Sequence, residues 1–194
     1  MTLNRNDAWQ LLTEYTKSDS LLKHAMGVEA AVRGYARTFG EDEEAWSVVA
    51  LLHDFDYERW PSLDDHPYRG SEILREKGYP EWVMRAILSH ADHTGVPRES
   101  RLEKTLFACD ELAGFVTAAS LVRPSKSILD LEAKSVVKRM KDKAFARAVK
   151  REDITAGAAL LGLSVEEHVG NCVAAMQARA AELGLAGTAT EAGA

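Results

Sequence analysis

The 194-residue chain has only two cysteines, Cys109 and Cys172, far apart and without a Cys-x-x-Cys spacing. That excludes a disulfide framework and a thiolate metal site, and it makes a reducing cytoplasm the expected compartment. Long apolar runs are missing too: no segment approaches the roughly 20 apolar residues of a membrane span. Met1 to Tyr15 lacks the cationic start and apolar stretch of an export signal. Positive charge is not in excess. Lys and Arg number 24 against 30 Asp and Glu, a formal net charge of −6, so no general field favours a nucleic-acid backbone, although a local basic pocket for a phosphorylated small molecule stays open. Strand-like alternation of polar and apolar residues is absent, and the expected fold class is all-α.

What is present is enough apolar material for one core. At 46% hydrophobic and 28% charged, the chain fits a single domain over residues 1–184. The small residues of 185–194 read as a disordered tail that cannot bury enough apolar surface to order itself.

Trp9, Leu12 and Tyr15 recur at helical spacing after the capping candidates Asn4 and Asn6. Ser18 and Asp19 start a second helix that carries His24 and runs to Gly40, a residue suited to the left-handed helix stop. The acidic run Glu41 to Glu44 favours the start of a third helix, which ends near His53 because Pro61 and a polar stretch follow. Pro67 and Pro80 suit first helical turns, giving short helices just after His66 and around Glu81 to His90. Ser100 with Glu103 forms a capping box for a helix that places Asp110 at its middle and stops before Pro124. A long charged helix is expected from about Ile128 to Lys150, and a second box, Ser164 with Glu167, opens a last one to Gly184.

Five of the six histidines fall between residues 24 and 93. His24, His53, His66 and His90 lie on separate helices or at their ends, so only the fold can assemble them. A site of imidazoles and carboxylates suits divalent Mn, Fe, Co, Ni, Mg or Zn, and a bound ion can acidify water to a nucleophile.

His24, the adjacent His53-Asp54 in LLHDFD and Asp110 in LFACDELAG resemble the HD superfamily of metal-dependent phosphohydrolases, over roughly residues 20–120. The resemblance implies a helical HD bundle with a C-terminal helical extension. It also implies that His24, His53, Asp54 and Asp110 hold one metal ion, with Asp54 able to bridge to a second. His66 in HPYRGSEIL and His90 in AILSHADHTG match branches that hold two ions, similar to enzymes cleaving dinucleoside tetraphosphates. The chain departs from the family where Phe55 replaces the glycine common after the His-Asp pair. The Gly78-Tyr79-Pro80 triplet precedes His90 rather than following paired histidines, so cyclic-dinucleotide hydrolysis is not implied.

Beyond these ligands, Asp56 and His93 are candidates for a general base or for orienting a ligand, alongside Asp54 as a catalytic carboxylate. Arg69, Arg123 and Lys126 are candidate phosphate-binding cations. His168 sits inside the last helix and reads as structural. The expected reaction is hydrolysis of a phosphate ester or anhydride of a small phosphorylated metabolite, nucleotides included, with one or two divalent ions per chain. A homodimer is a weaker expectation, and neither membrane nor nucleic acid is an expected partner. Two other readings stand beside it: a di-iron oxygenase using the same six ligands, and a metal-binding regulatory module without turnover.

Overall fold

The computed structural model describes residues 2–187. Side chains write most of the helix starts. Asn4 accepts from the Asp7 amide at 2.9 Å to open α1 (Arg5–Tyr15), and Asp42 accepts from Glu44 and Ala45 to open α3 (Glu43–Leu52). Between them α2 (Asp19–Phe39) ends on Gly40 at φ 68°, a left-handed conformation that glycine adopts without a Cβ penalty. Pro67 and Pro80 immediately precede α4 (Tyr68–Glu76) and α5 (Glu81–His90), and a single 3-10 turn, Asp92–Thr94, follows. Both expected capping boxes form: Ser100 with Glu103 opens α6 (Arg101–Leu121), and Ser164 with Glu167 opens α9 (Val165–Gln177). The remaining helices are α7 (Ala133–Met140) and α8 (Arg151–Leu160). Among the described residues there is no strand, only an isolated antiparallel bridge between Ser127 and Ala186, and the fold is all-α as expected. No described helix is long and apolar enough to cross a membrane.

The two 21-residue helices, α2 and α6, cross the centre, with α3 and α9 against α2 and with α5 and α8 against α6. Val28, Val32 and Tyr35 of α2 and Leu106, Leu112, Phe115 and Val116 of α6 are buried in the core. Charge is buried in this interior as well. Glu29, fully buried on α2, accepts from Arg5 at 2.5 and 2.9 Å and from Ser47 at 2.5 Å, and pairs with Arg179 at 2.9 Å. Burial pushes its carboxyl up, but the Arg5, Ser47 and Arg179 contacts outweigh this and hold it below its ordinary value. The cluster ties α1, α2, α3 and the turn after α9 to one another. His168 is structural as read from sequence: it is buried, with Nδ1 2.7 Å from the Tyr35 hydroxyl and Nε2 donating to the Ala108 carbonyl at 2.8 Å.

Three expectations from sequence are corrected. The single helix over 128–150 does not form. Helix α7 ends at Met140, Asp142 caps the Ala144 amide in a local turn, and Ala146 takes φ 42°. The carbonyls that a helix would have paired are instead gathered by the Arg151 guanidinium, which donates to Asp142, Phe145, Ala146 and Val149. A helix begun by that same Arg151, α8, was not foreseen. Likewise, α9 stops at Gln177, and turns carry the chain to Gly184. The expected tail 185–194 is ordered at its start: Leu185 is buried, its carbonyl accepts from Ile128 at 2.8 Å, and the Ala186 carbonyl accepts from Ser127 at 3.1 Å. Residues 188–194 of that tail lie outside the described residues.

Helix α8 approaches α6 closely because Gly157 has no side chain. A Cβ there would stand 2.5 Å from the Ala108 Cα and 2.8 Å from its Cβ, closer than packed carbons tolerate. Gly157→Ala is therefore expected to lower unfolding stability in urea by about 1–3 kcal/mol, with an unchanged midpoint showing that the α6–α8 contact is looser than this.

Candidate metal centre

Six side chains from five elements converge where α2, α3, α5 and α6 meet. His24 projects from α2, His53 caps the C-terminus of α3 with Asp54 following, His66 precedes α4, His90 is the last residue of α5, and Asp110 is mid-helix in α6. Their ligand atoms form two groups, each within 4.8 Å of one another: His24, His53, Asp54 and Asp110, and then Asp54, His66 and His90. Asp54 belongs to both. Its Oδ2 is 3.5 Å from His53 Nε2, while its Oδ1 is 3.2 Å from His66 Nε2 and 3.3 Å from His90 Nε2. Asp110 Oδ1 closes the first group at 3.0 Å from His24 Nε2 and 3.4 Å from His53 Nε2.

Three of the four imidazoles are held from behind. His53 Nδ1 donates to the Ala50 carbonyl at 2.7 Å, His90 Nδ1 to the Ile87 carbonyl, and His66 Nδ1 to Asp56 Oδ1 at 2.8 Å. Each such bond fixes the tautomer, leaving Nε2 as the lone-pair atom that faces the cluster. His53 Nε2 and Asp54 Oδ1 are buried without any hydrogen-bond partner. Orphaned polar atoms at the centre of an imidazole and carboxylate cluster are costly unless something binds them, and divalent ions held by these residues would satisfy both. The residues present therefore fit divalent metal ions of the hard-to-borderline kind.

Charge is concentrated here. Burial disfavours the His53 imidazolium, but Asp54 and Asp110 together outweigh it and raise its pKa to about 10. His66 is likewise raised to about 9, as Asp54 and Asp56 overcome burial. In return, burial alone would push Asp54 and Asp110 up, yet the His53 charge and the other neighbouring imidazoles hold both well below the usual carboxylate range.

Asp56 does not reach the cavity over the cluster. It is buried, with Oδ1 on His66 and Oδ2 accepting from the Gly70 amide at 2.7 Å, so it positions His66 rather than meeting substrate. Gly70 permits this: a Cβ there would lie 2.9 Å from both Asp56 Cγ and Phe55 Cε1. His93 does line the cavity, and its Nε2 donates to the His66 carbonyl at 2.9 Å. The three cations named from sequence stand elsewhere. Arg69 is engaged by Asp65 and Glu72, Arg123 is engaged by Asp130, and neither these nor Lys126 lines the cavity.

The cavity measures about 510 Å³ and is walled by Tyr57, Leu63 and Phe107, with Asp92, Glu111, Lys150 and Asp153 around the cluster. Burial pushes the Glu111 carboxyl up and the Asp110 charge adds to it, and burial also raises Asp153. Glu111, Lys150 and Asp153 were missed from sequence. Glu111 adjoins Asp110 on a helix, Lys150 stood at the end of what was read as one continuous helix, and Asp153 lay three residues beyond it. A larger cavity, about 610 Å³ between Trp46, Trp82 and Arg101, contains none of the ligand groups.

No solved structure gives a significant match to the chain. A model of the HD domain family matches residues 21–114, a stretch that begins at the turn of α2 bearing His24, contains the His53-Asp54 pair, His66 and His90, and ends four residues past Asp110. All six converging candidate ligands fall inside the match, which identifies residues 21–114 as an HD domain.

Proposed function

We propose that the chain is a metal-dependent phosphohydrolase that cleaves a phosphate ester or anhydride of a small phosphorylated metabolite. The observation that carries this reading is the division of the Asp54 carboxylate, Oδ2 toward one ligand group and Oδ1 toward the other. A carboxylate shared in this way supports a pair of ions, with His24, His53 and Asp110 completing one side and His66 and His90 the other. Bound divalent ions supply Lewis acidity toward phosphoryl oxygens and lower the pKa of water.

The chain's own residues do the rest. The Nδ1 hydrogen bonds of His53, His66 and His90 keep their Nε2 atoms aimed at the cluster, so little reorganisation is required when substrate arrives. Asp56 adds a negative charge behind His66, which raises that imidazole's basicity as a ligand. Phe107 is buried and gives the cavity an apolar wall, while Tyr57 and Leu63 line it and remain exposed to solvent.

Two outcomes test this reading. Protein reloaded with manganese, cobalt or nickel is expected to release phosphate from a panel of phosphorylated metabolites, and Asp54→Ala should cut the rate by at least about 100-fold while circular dichroism shows the helices intact. Full activity in Asp54→Ala would overturn the bridging role; oxygen uptake by iron-loaded protein without phosphate release would replace hydrolysis by oxygenation.

The second outcome concerns pH. In metal-stripped protein, His53 and His66 have folded pKa values of about 10 and about 9, raised above the roughly 6.5 of a free histidine. A raised value means the folded state holds these protons more tightly, so their stabilisation is complete below about pH 6.5 and is lost as pH rises through 9 and 10. Stripped protein should thus lose melting temperature across that window, whereas a chelated ion displaces the protons and flattens the dependence. Thermal melts from pH 6 to 10, with and without metal, read both; equal slopes would contradict the assignment of these imidazoles as ligands.

A further inference from the structure

Lys150 belongs neither to the matched HD segment nor to any ligand group, yet it lines the cavity over both. It makes no ion pair within 4.0 Å among the described residues. The other cation nearby, Arg98, is already taken up by Asp92 at 2.6 Å and by the face of Phe107 at 3.5 Å.

Its place is set by three independent contacts. The Lys150 amide donates to Glu111 Oε2 at 3.2 Å, one residue beyond Asp110. Arg151, next in the chain, gathers the carbonyls of the preceding turns and lies 5.1 Å from the Phe115 ring centroid. Seven residues on, Gly157 seats α8 against Ala108, two residues before Asp110. The C-terminal extension therefore places Lys150 at the cavity in fixed register with the helix that bears Asp110, with its positive charge acting on the Glu111 and Asp153 carboxylates.

The neighbours of that ammonium limit what it can hold. Asp92, Glu111 and Asp153 line the same cavity, and among them only Asp92 is neutralised by an arginine. A single phosphoryl group at the ligand groups reaches Lys150 as its counter-charge. A second or third phosphate extending from it meets the Glu111 and Asp153 carboxylates, and like charges brought together in a cavity of low dielectric repel strongly.

We propose that Lys150 anchors the phosphoryl group of the substrate and that the cavity accepts phosphomonoesters while turning away polyphosphates. This rests on the phosphohydrolase reading above, but it is tested by binding as well as by turnover. Calorimetric titration of the metal-loaded full chain with inorganic phosphate should show Lys150→Met binding about tenfold more weakly than wild type. Lys150→Arg should recover most of the loss, and metal content should be the same in all three. Pyrophosphate should bind wild type no more tightly than phosphate does, and Asp153→Asn should shift that preference toward pyrophosphate. Unchanged phosphate affinity in Lys150→Met, or a wild-type preference for pyrophosphate, would overturn the proposal. Hydrolysis of phosphomonoesters undiminished in Lys150→Met would sink the anchor and leave the phosphohydrolase reading standing. Phosphate binding that depends on Lys150, in a protein that hydrolyses nothing, would support the anchor and remove the reaction.

Discussion

The Asp54 carboxylate has to satisfy two sets of imidazoles at once, and the rest of the architecture is arranged around that demand. One oxygen faces His53 and the other faces His66 and His90, in a region where His53 Nε2 and Asp54 Oδ1 have no protein hydrogen-bond partner. Left to the protein alone, such a cluster keeps buried polar atoms unpaired. Well-packed helices hold it together, and divalent ions of the kind these residues fit would complete it.

Helix ends are the means of construction. His53 caps α3 and His90 closes α5, each where a helix C-terminus leaves carbonyls without intrahelical partners, while His66 sits in the turn before α4. Two of those carbonyls, Ala50 and Ile87, take the Nδ1 protons of His53 and His90. One arrangement therefore satisfies the helix end and orients the ligand. His66 has no such carbonyl, and the buried Asp56 substitutes for it, held in turn by the Gly70 amide. The buried Glu29 cluster secures the frame from the far side by joining α1, α2, α3 and the turn after α9.

Much of this was legible in the sequence, because local chemistry and tertiary structure agree over residues 4–121. Asn4, Gly40, Pro67, Pro80 and the Ser100–Glu103 box act where their capping preferences place them. The six ligands were named from their order and context, and the fold brings all six together. Beyond residue 121 the reading weakened. The apolar stripe from Val136 to Val149 keeps a helical period through a segment that is broken by an Asp142 turn and a left-handed Ala146, both stabilised by Arg151, a residue outside the stripe. Losing that break concealed the start of α8 and, with it, Lys150 and Asp153. Arg69, Arg123 and Lys126 were chosen for charge alone, and charge does not reveal that Asp65, Glu72 and Asp130 already occupy the two arginines. Leu185 was grouped with the small residues after it, although it is large enough to be buried and extends the ordered chain past α9.

Anomalous diffraction at the manganese edge, from crystals grown with that ion, addresses the shared carboxylate directly. The account predicts two peaks per chain, one against His24, His53 and Asp110 and one against His66 and His90, with Asp54 between them. A single peak held without His66 and His90, or manganese bound only away from Asp54, would contradict it.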